Sequence, residues 1–289
     1  MRSRLPLVAA IAAIAFTAAA CSSSSDSVSD SSADSKPASG PHYVALGDSF
    51  TAGPDIFQLD ARSGACARST RNYPHLIAEK IDAASFVDVS CSGATSDNVL
   101  AAAPIGEGEP IPAQLDAVEK DTTLVTVGIG GNDDDLFSTL ASACTAQGTA
   151  CEDYLKDKLP GVLGKTRTRV ASVLSAVEAR APKAEVILVG YLSVSPPASG
   201  CEALGGDALD TRGVSAGEKS IDAMMQAAAT DAGATYVSMN TVATGHDACA
   251  GSAAWTNGIA PAELGDGAAL HPREAGMKAT ADEVETVIG

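Results

Sequence analysis

His42-Tyr43-Val44-Ala45-Leu46, followed at once by Gly47-Asp48-Ser49, is the stretch on which the fold turns. A short β-prone run stops at a glycine and two small polar residues suited to a tight turn. The arrangement recurs. Phe86-Val87-Asp88-Val89 closes on Cys91-Ser92-Gly93, and Leu124-Val125-Thr126-Val127 closes on Gly128-Ile129-Gly130-Gly131-Asn132. Residues 185–189 and 235–237 read as two further strands. Apolar spacing predicts helices over 73–81, 133–140, 163–180, 214–232 and 272–287, and a short one over 113–119. The acids of 133–135 fall in a first turn, where the helix dipole favours them. Short apolar strands alternating with helices predict an α/β fold, a three-layer α/β/α sandwich with a central parallel sheet. Ligands of such sheets bind outside the carboxyl ends of the strands. Ser49, Gly93 and Asn132 each follow a strand, so they are expected at one edge.

The chain before this first strand reads differently. Met1-Arg2-Ser3-Arg4 leads into an apolar run from Leu5 to Ala20, the pattern of a secretory signal peptide over 1–20. The run is shorter than the ~20 residues of a spanning helix. Ala18-Ala19-Ala20-Cys21 resembles a bacterial lipobox, which implies lipidation of Cys21 and anchoring to the membrane; Ala18 departs from the Leu usual there. An ordinary signal peptide with a chance cysteine is the alternative. Residues 21–40 are almost devoid of apolar side chains and are expected to be a flexible Ser/Asp-rich tether of roughly 20–25 Å. Residues 41–289 then suit one domain.

The net charge of −17 argues against nucleic acid as a partner, because phosphate binding needs a basic surface. Six of the seven cysteines remain after Cys21: Cys66, Cys91, Cys144, Cys151, Cys201 and Cys249. An even number in an exported chain favours disulfides, and no spacing suits a metal site. Spacing leaves about 15 pairings open. Neighbour pairing, Cys66–Cys91, Cys144–Cys151 and Cys201–Cys249, is the simplest, each bond contributing about 2–4 kcal/mol.

A serine at a strand end becomes a nucleophile only with a base and with donors for the oxyanion. Of the four histidines, His42 opens a strand at the wrong end of the sheet, and His75 falls in a helix. His246 sits in a loop after the last strand and stays a candidate. His271, just before Pro272, is favoured by position. The N–H groups of Ser49 and Gly93 and the amide of Asn132 could hold an oxyanion. Taken singly, Gly93 reads more simply as a turn glycine and Asn132 as a helix cap.

In this order Ser49, Gly93, Asn132 and His271 resemble the signature blocks of the SGNH (GDSL-like) hydrolases. The similarity runs from about Tyr43 to the C terminus. It is greatest to the extracellular actinobacterial esterase/lipase branch, in segments such as Asn72-Tyr73-Pro74 and Gly245-His246-Asp247-Ala248-Cys249. The resemblance implies a flavodoxin-like fold, a serine esterase or lipase acting on acyl esters, no cofactor, and disulfides between neighbours. Two positions depart from the pattern. Phe50 stands fourth in the signature, and Ala268 stands where the family usually places an Asp three residues before the histidine. The expectation is a Ser49–His271 dyad with the Ala268 backbone carbonyl orienting the imidazole, and Asp266 as the less favoured orienter. A monomer on the outer face of a bacterial membrane is expected. A non-catalytic surface-binding lipoprotein, or a thioesterase, phospholipase or carbohydrate deacetylase on the same fold, are the alternatives. Loops 54–70, 104–112 and 191–210 are the expected walls of the site, with 193–206 as a rim or lid.

Overall fold

Five strands form one parallel sheet: β1 (His42–Gly47), β2 (Ser85–Asp88), β3 (Leu124–Gly128), β4 (Glu185–Val189) and β5 (Thr235–Val237). The computed structural model describes residues 40–105, 108–145 and 148–289. The expected signal peptide, Cys21 and the tether up to residue 39 lie outside them. The spatial order is β2-β1-β3-β4-β5, the flavodoxin-like order. Register is set by pairs such as Val44↔Val87, Leu46↔Val127, Thr126↔Ile187 and Leu188↔Tyr236.

The inner strands β1, β3 and β4 are mostly apolar and buried because both faces of the sheet are covered. Successive side chains point to opposite sides, so Val44, Leu46, Val125 and Val127 join one core and Tyr43, Ala45 and Ile187 the other. The first core is closed by the long helices α6 (Leu159–Arg180) and α7 (Thr211–Ala232), through Val173, Leu174 and Met225. The second is closed by α2 (Tyr73–Lys80) and α9 (Glu274–Glu285), through Ile77 and Met277. Shorter helices decorate the connections: α1 (Ser49–Ala52), α3 (Ser96–Leu100), α4 (Leu136–Thr145), α5 (Ala150–Asp153) and α8 (Met239–Val242). Among the described residues, no helix is long and apolar enough to cross a membrane.

Local chemistry accounts for the helix ends. Asn72 accepts the His75 N–H to open α2, and Asp210 accepts the Gly213 N–H to open α7, three residues earlier than apolar spacing alone predicts. Disulfides join Cys66 to Cys91, Cys144 to Cys151 and Cys201 to Cys249.

Two expected helices are different. The 113–119 segment is a 3-10 turn, Gln114–Ala117. Over 133–140 a 3-10 turn, Asp133–Asp135, precedes α4, which begins only at Leu136. Asp134 and Asp135 have φ of 50° and 56°, so these acids are not a helical first turn. Asp133 instead turns away and accepts the Ser96 N–H and hydroxyl at 2.8 and 2.7 Å, capping α3. Burial raises its pKa despite these bonds.

Candidate active site

At the carboxyl edge of the sheet, β1 runs into Asp48 and Ser49. The end of β1 is held by Gln114, whose side chain accepts the Gly47 N–H at 2.8 Å and donates to the Gly47 carbonyl at 2.9 Å. This amide substitutes for a neighbouring strand where β1 has outrun β2. Gly47 cannot carry a side chain, because a Cβ would lie 2.2 Å from Thr51 Oγ1. The Asp48 carboxylate then accepts the Phe50 N–H at 2.9 Å and starts the single turn α1, with Ser49 at its first position.

Two neighbouring turns are tied to this one. Cys91 N–H donates to the Gly47 carbonyl at 2.9 Å, setting the 91–94 turn beside Ser49. Gly93 has φ of +83°, a conformation natural to glycine. Asn132 donates through Nδ2 to the Ala94 carbonyl at 2.9 Å and does not cap a helix with its side chain. Among the described residues, the backbone N–H groups of Ser49 and Gly93 meet no hydrogen-bond acceptor.

His271 Nε2 lies 2.8 Å from Ser49 Oγ. Its Nδ1 faces the Ala269 carbonyl at 2.7 Å. A carbonyl can only accept, so Nδ1 carries the proton and Nε2 is the free base facing the hydroxyl. Burial holds the imidazole below its ordinary pKa, partly opposed by the Ala269 carbonyl and Asp55. The sequence led to the Ala268 carbonyl as this partner; the structure places the Ala269 carbonyl there instead. Ala268 O already accepts the His271 N–H at 3.2 Å, and Leu270 turns left-handed at φ 59°, which brings the carbonyl two residues back under the ring. The Asp266 carboxylate is engaged elsewhere. It pairs with Arg273 Nε at 2.7 Å and accepts the Glu274 N–H at 2.7 Å, capping α9.

The other histidines are elsewhere engaged. His42 meets Ser85 at the amino end of the sheet, and His75 bonds Asn72 beside Asp88. His246 stacks on Trp255, with ring centroids 3.9 Å apart, and bonds the Ala253 carbonyl.

Beneath the turns lies a residue that sequence reasoning missed. Tyr191 donates to Asp48 Oδ2 at 2.5 Å and accepts the Gly131 N–H at 2.7 Å. Asp48 is fully buried, and desolvation pushes its carboxyl up to about 7 although Tyr191 and the Phe50 N–H favour the charged form. Tyr191 follows β4 by two residues, so the strand-end rule that singled out Ser49 could have found it.

Ser49, Asn132 and His271 open onto one cavity of about 260 Å³; Gly93 is not in its lining. The walls are largely apolar, with Phe50, Phe137, Leu140, Val194, Leu204 and Leu209 among them. Loop 191–210 contributes as expected. Among the described residues, none in loops 54–70 and 104–112 lines it, and helices α4 and α7 contribute instead. Glu218 of α7 also lines the cavity. It accepts the Val194 N–H at 3.1 Å and the Ser195 N–H at 3.4 Å, and burial pushes it up to about 8. Among the described residues, no cluster of three His, Cys, Asp or Glu could hold a metal ion.

A serine hydroxyl against the free Nε2 of a neutral imidazole, on an apolar cavity, is equipped to attack an acyl carbonyl. Comparison with known proteins agrees. The profile of the GDSL-like Lipase/Acylhydrolase family matches residues 45–279. A lipase of Streptomyces rimosus is 32% identical over 206 residues, 69% of this chain and 70% of that protein. Lipase 2 of Streptomyces coelicolor is 34% identical over 213 residues, 68% and 69% respectively. Among solved structures, the extracellular lipase of S. rimosus superposes with a TM-score of 0.72 at 30% identity, covering 86% of this chain and all of that one. Phospholipase A1 of Streptomyces albidoflavus gives 0.67 at 28% identity, with the same coverage. The chain therefore belongs to the GDSL-like lipase/acylhydrolase family and is an ester-hydrolysing enzyme.

Proposed function

We propose that the protein cleaves carboxylic acyl esters with Ser49 as nucleophile and His271 as general base, without a third acidic member. The 2.8 Å approach of His271 Nε2 to Ser49 Oγ, with Nδ1 bound to a neutral carbonyl, carries this reading. Ser49 Oγ attacks the ester carbonyl as Nε2 takes its proton. The negative oxygen is received by the N–H groups of Ser49 and Gly93 and by the Asn132 amide, whose second hydrogen is not used on Ala94. His271 then protonates the leaving alcohol, and water repeats the sequence on the acyl-serine. The Ala269 carbonyl holds the tautomer and, through its dipole, favours the imidazolium. It supplies less stabilisation than a carboxylate would, and burial of the ring adds to the cost of the imidazolium. The apolar cavity takes the acyl chain.

The enzyme acts outside the cytoplasm in this reading, supported by three disulfides and by the extracellular relative. Cys21 would anchor it, and release of the Cys21→Ser protein from membranes is the check on that anchor.

Hydrolysis of a p-nitrophenyl ester series from acetyl to palmitoyl tests the site. Activity that disappears in Ser49→Ala and His271→Ala supports the dyad, and persistence of activity in Ser49→Ala refutes it. Removal of the Asn132 amide by Asn132→Ala should cost about 10²–10³ in kcat. Phospholipid substrates in parallel distinguish a phospholipase from a simple esterase.

A further inference from the structure

Outside the catalytic turns, Glu218 of α7 brings a carboxyl group into the cavity wall, which it shares with Val194, Leu209 and Val214. A wall that only sheathed a hydrocarbon chain would hold an apolar side chain here, because a buried carboxyl group is costly unless its bonds are met. The other polar side chains of the wall are spent within the protein. Ser138 donates its hydroxyl to Asp135 O and Ser195 its hydroxyl to Thr211 O, both at 3.0 Å, and Asp48 serves Tyr191 and the Phe50 N–H. Glu218 is only half engaged. Among the described residues its hydrogen-bond partners are two amides, Val194 N–H on one oxygen and Ser195 N–H on the other. A carboxylate offers about four acceptor positions, so about half stay open. Burial pushes the group up to about 8, and the nearby charge of Asp247 acts in the same direction. At neutral pH Glu218 therefore carries a proton for which the described residues supply no acceptor.

We infer that Glu218 is a specificity subsite that hydrogen-bonds a hydroxyl group of the substrate. The inference deepens the proposed esterase and rests on its account of the cavity that the ester enters. Matching of donors and acceptors selects the hydroxyl. Neutral Glu218 donates to a hydroxyl oxygen, and ionised Glu218 accepts a hydroxyl proton, so this group is bound in both states. A keto oxygen can only accept, and it fits the neutral state alone. A plain alkyl chain offers neither, and it leaves the carboxyl group unsatisfied once water is displaced. The hydroxyl can be borne by the acyl chain or by the alcohol of the ester, with the same chemistry at Glu218.

The test compares kcat/KM for hydroxylated and plain esters on one preparation, so that a general loss of activity cancels in the ratio. One series is p-nitrophenyl octanoate against its isomers with a hydroxyl moved along the chain. The other is glyceryl against methyl octanoate. In one series the parent should cleave a hydroxylated ester at least as well as the plain one, and Glu218→Met should lower that ratio about tenfold, the worth of one hydrogen bond. The series that responds tells whether acyl chain or alcohol carries the group. A ratio that Glu218→Met leaves unchanged in both series would overturn the inference, because a residue that only fastens Val194 and Ser195 affects both esters alike. The parent alone supplies a second reading. The ratio of a keto-octanoate to the plain ester should fall as pH rises through about 8, and Glu218→Gln, which cannot titrate, should lose that response. Asp48 and His271 in the cavity, Tyr191 and Asp222 in the adjoining cleft and Asp247 remain in both proteins, so the difference isolates Glu218. A keto ester indifferent to pH in the parent, or equally responsive in Glu218→Gln, would overturn the inference as well. Absence of hydrolysis by the parent defeats the esterase reading, whereas calorimetric binding of hydroxyoctanoic against octanoic acid, which needs no turnover, still judges the subsite.

Discussion

The Tyr191 hydroxyl stands between the two loops of the site, donating to Asp48 Oδ2 at 2.5 Å and accepting the Gly131 N–H at 2.7 Å. Asp48 precedes Ser49 and Gly131 precedes Asn132, so one phenol sets the distance between nucleophile and amide donor. Its ring packs edge-on to both Phe50 and Phe137, with centroids 5.1 and 4.9 Å apart. Tyr191→Phe keeps this packing and removes only the bridge. We expect kcat to fall by about 10- to 100-fold, the range associated with small misplacement, with little change in KM. An unchanged kcat would show that the loops hold their spacing without it.

Asp266→Ala should retain most of the activity, because Asp266 serves Arg273 and the Glu274 N–H and not the imidazole. Loss of the cap should cost about 1 kcal/mol of stability. Steady-state kinetics and a denaturant melt on one preparation separate the two effects, and a fall of about three orders of magnitude in kcat, on the scale of a true triad carboxylate, would contradict this assignment.

The buried imidazole of His271 has a lowered pKa, so its neutral, proton-accepting form persists to more acid pH than that of a free histidine. The acid limb of kcat/KM assigned to His271 should therefore fall below about 6.5. A pH–rate profile on a neutral ester reads it, and a histidine limb above that value would mean that the Ala269 carbonyl and Asp55 outweigh the burial of the ring.

Glu218 and Asp48 are pushed up to about 8 and about 7 by burial. Both pKa values are higher folded than unfolded, so their contribution to stability is full below the ordinary carboxylate range and is lost as pH rises through 7 to 8. The protein should melt at a lower temperature at pH 9 than at pH 5. Glu218→Gln, which keeps one acceptor for the Val194 N–H, should shrink that difference, by about 2–4 °C for each kcal/mol recovered. Calorimetry at the two pH values tests this, and an identical pH response in the variant would remove Glu218 from the account.

Much of this architecture was legible in the residues. Strands such as 42–46 and 124–127 are apolar on both faces, and only a sheet covered on both sides hides such strands, so layers and parallel pairing followed. The turn residues marked the carboxyl edge, and Ser49, Asn132 and His271 met at it. The acids of 133–135 misled because their local pattern fits a helix start, while the Asp133 carboxylate finds donors in Ser96, across 37 positions of sequence.

What the sequence by itself determined is the backbone plan, because periodicity and turn chemistry are local and act between residues a few positions apart. The tertiary structure alone decided which carbonyl faces His271, through the left-handed turn at Leu270. It also decided that Tyr191 reaches back 143 positions to Asp48, and that Glu218 is sealed into a cavity wall. Each depends on how loops from distant strands pack at one edge, where hydrogen bonds and desolvation are set by neighbours in space.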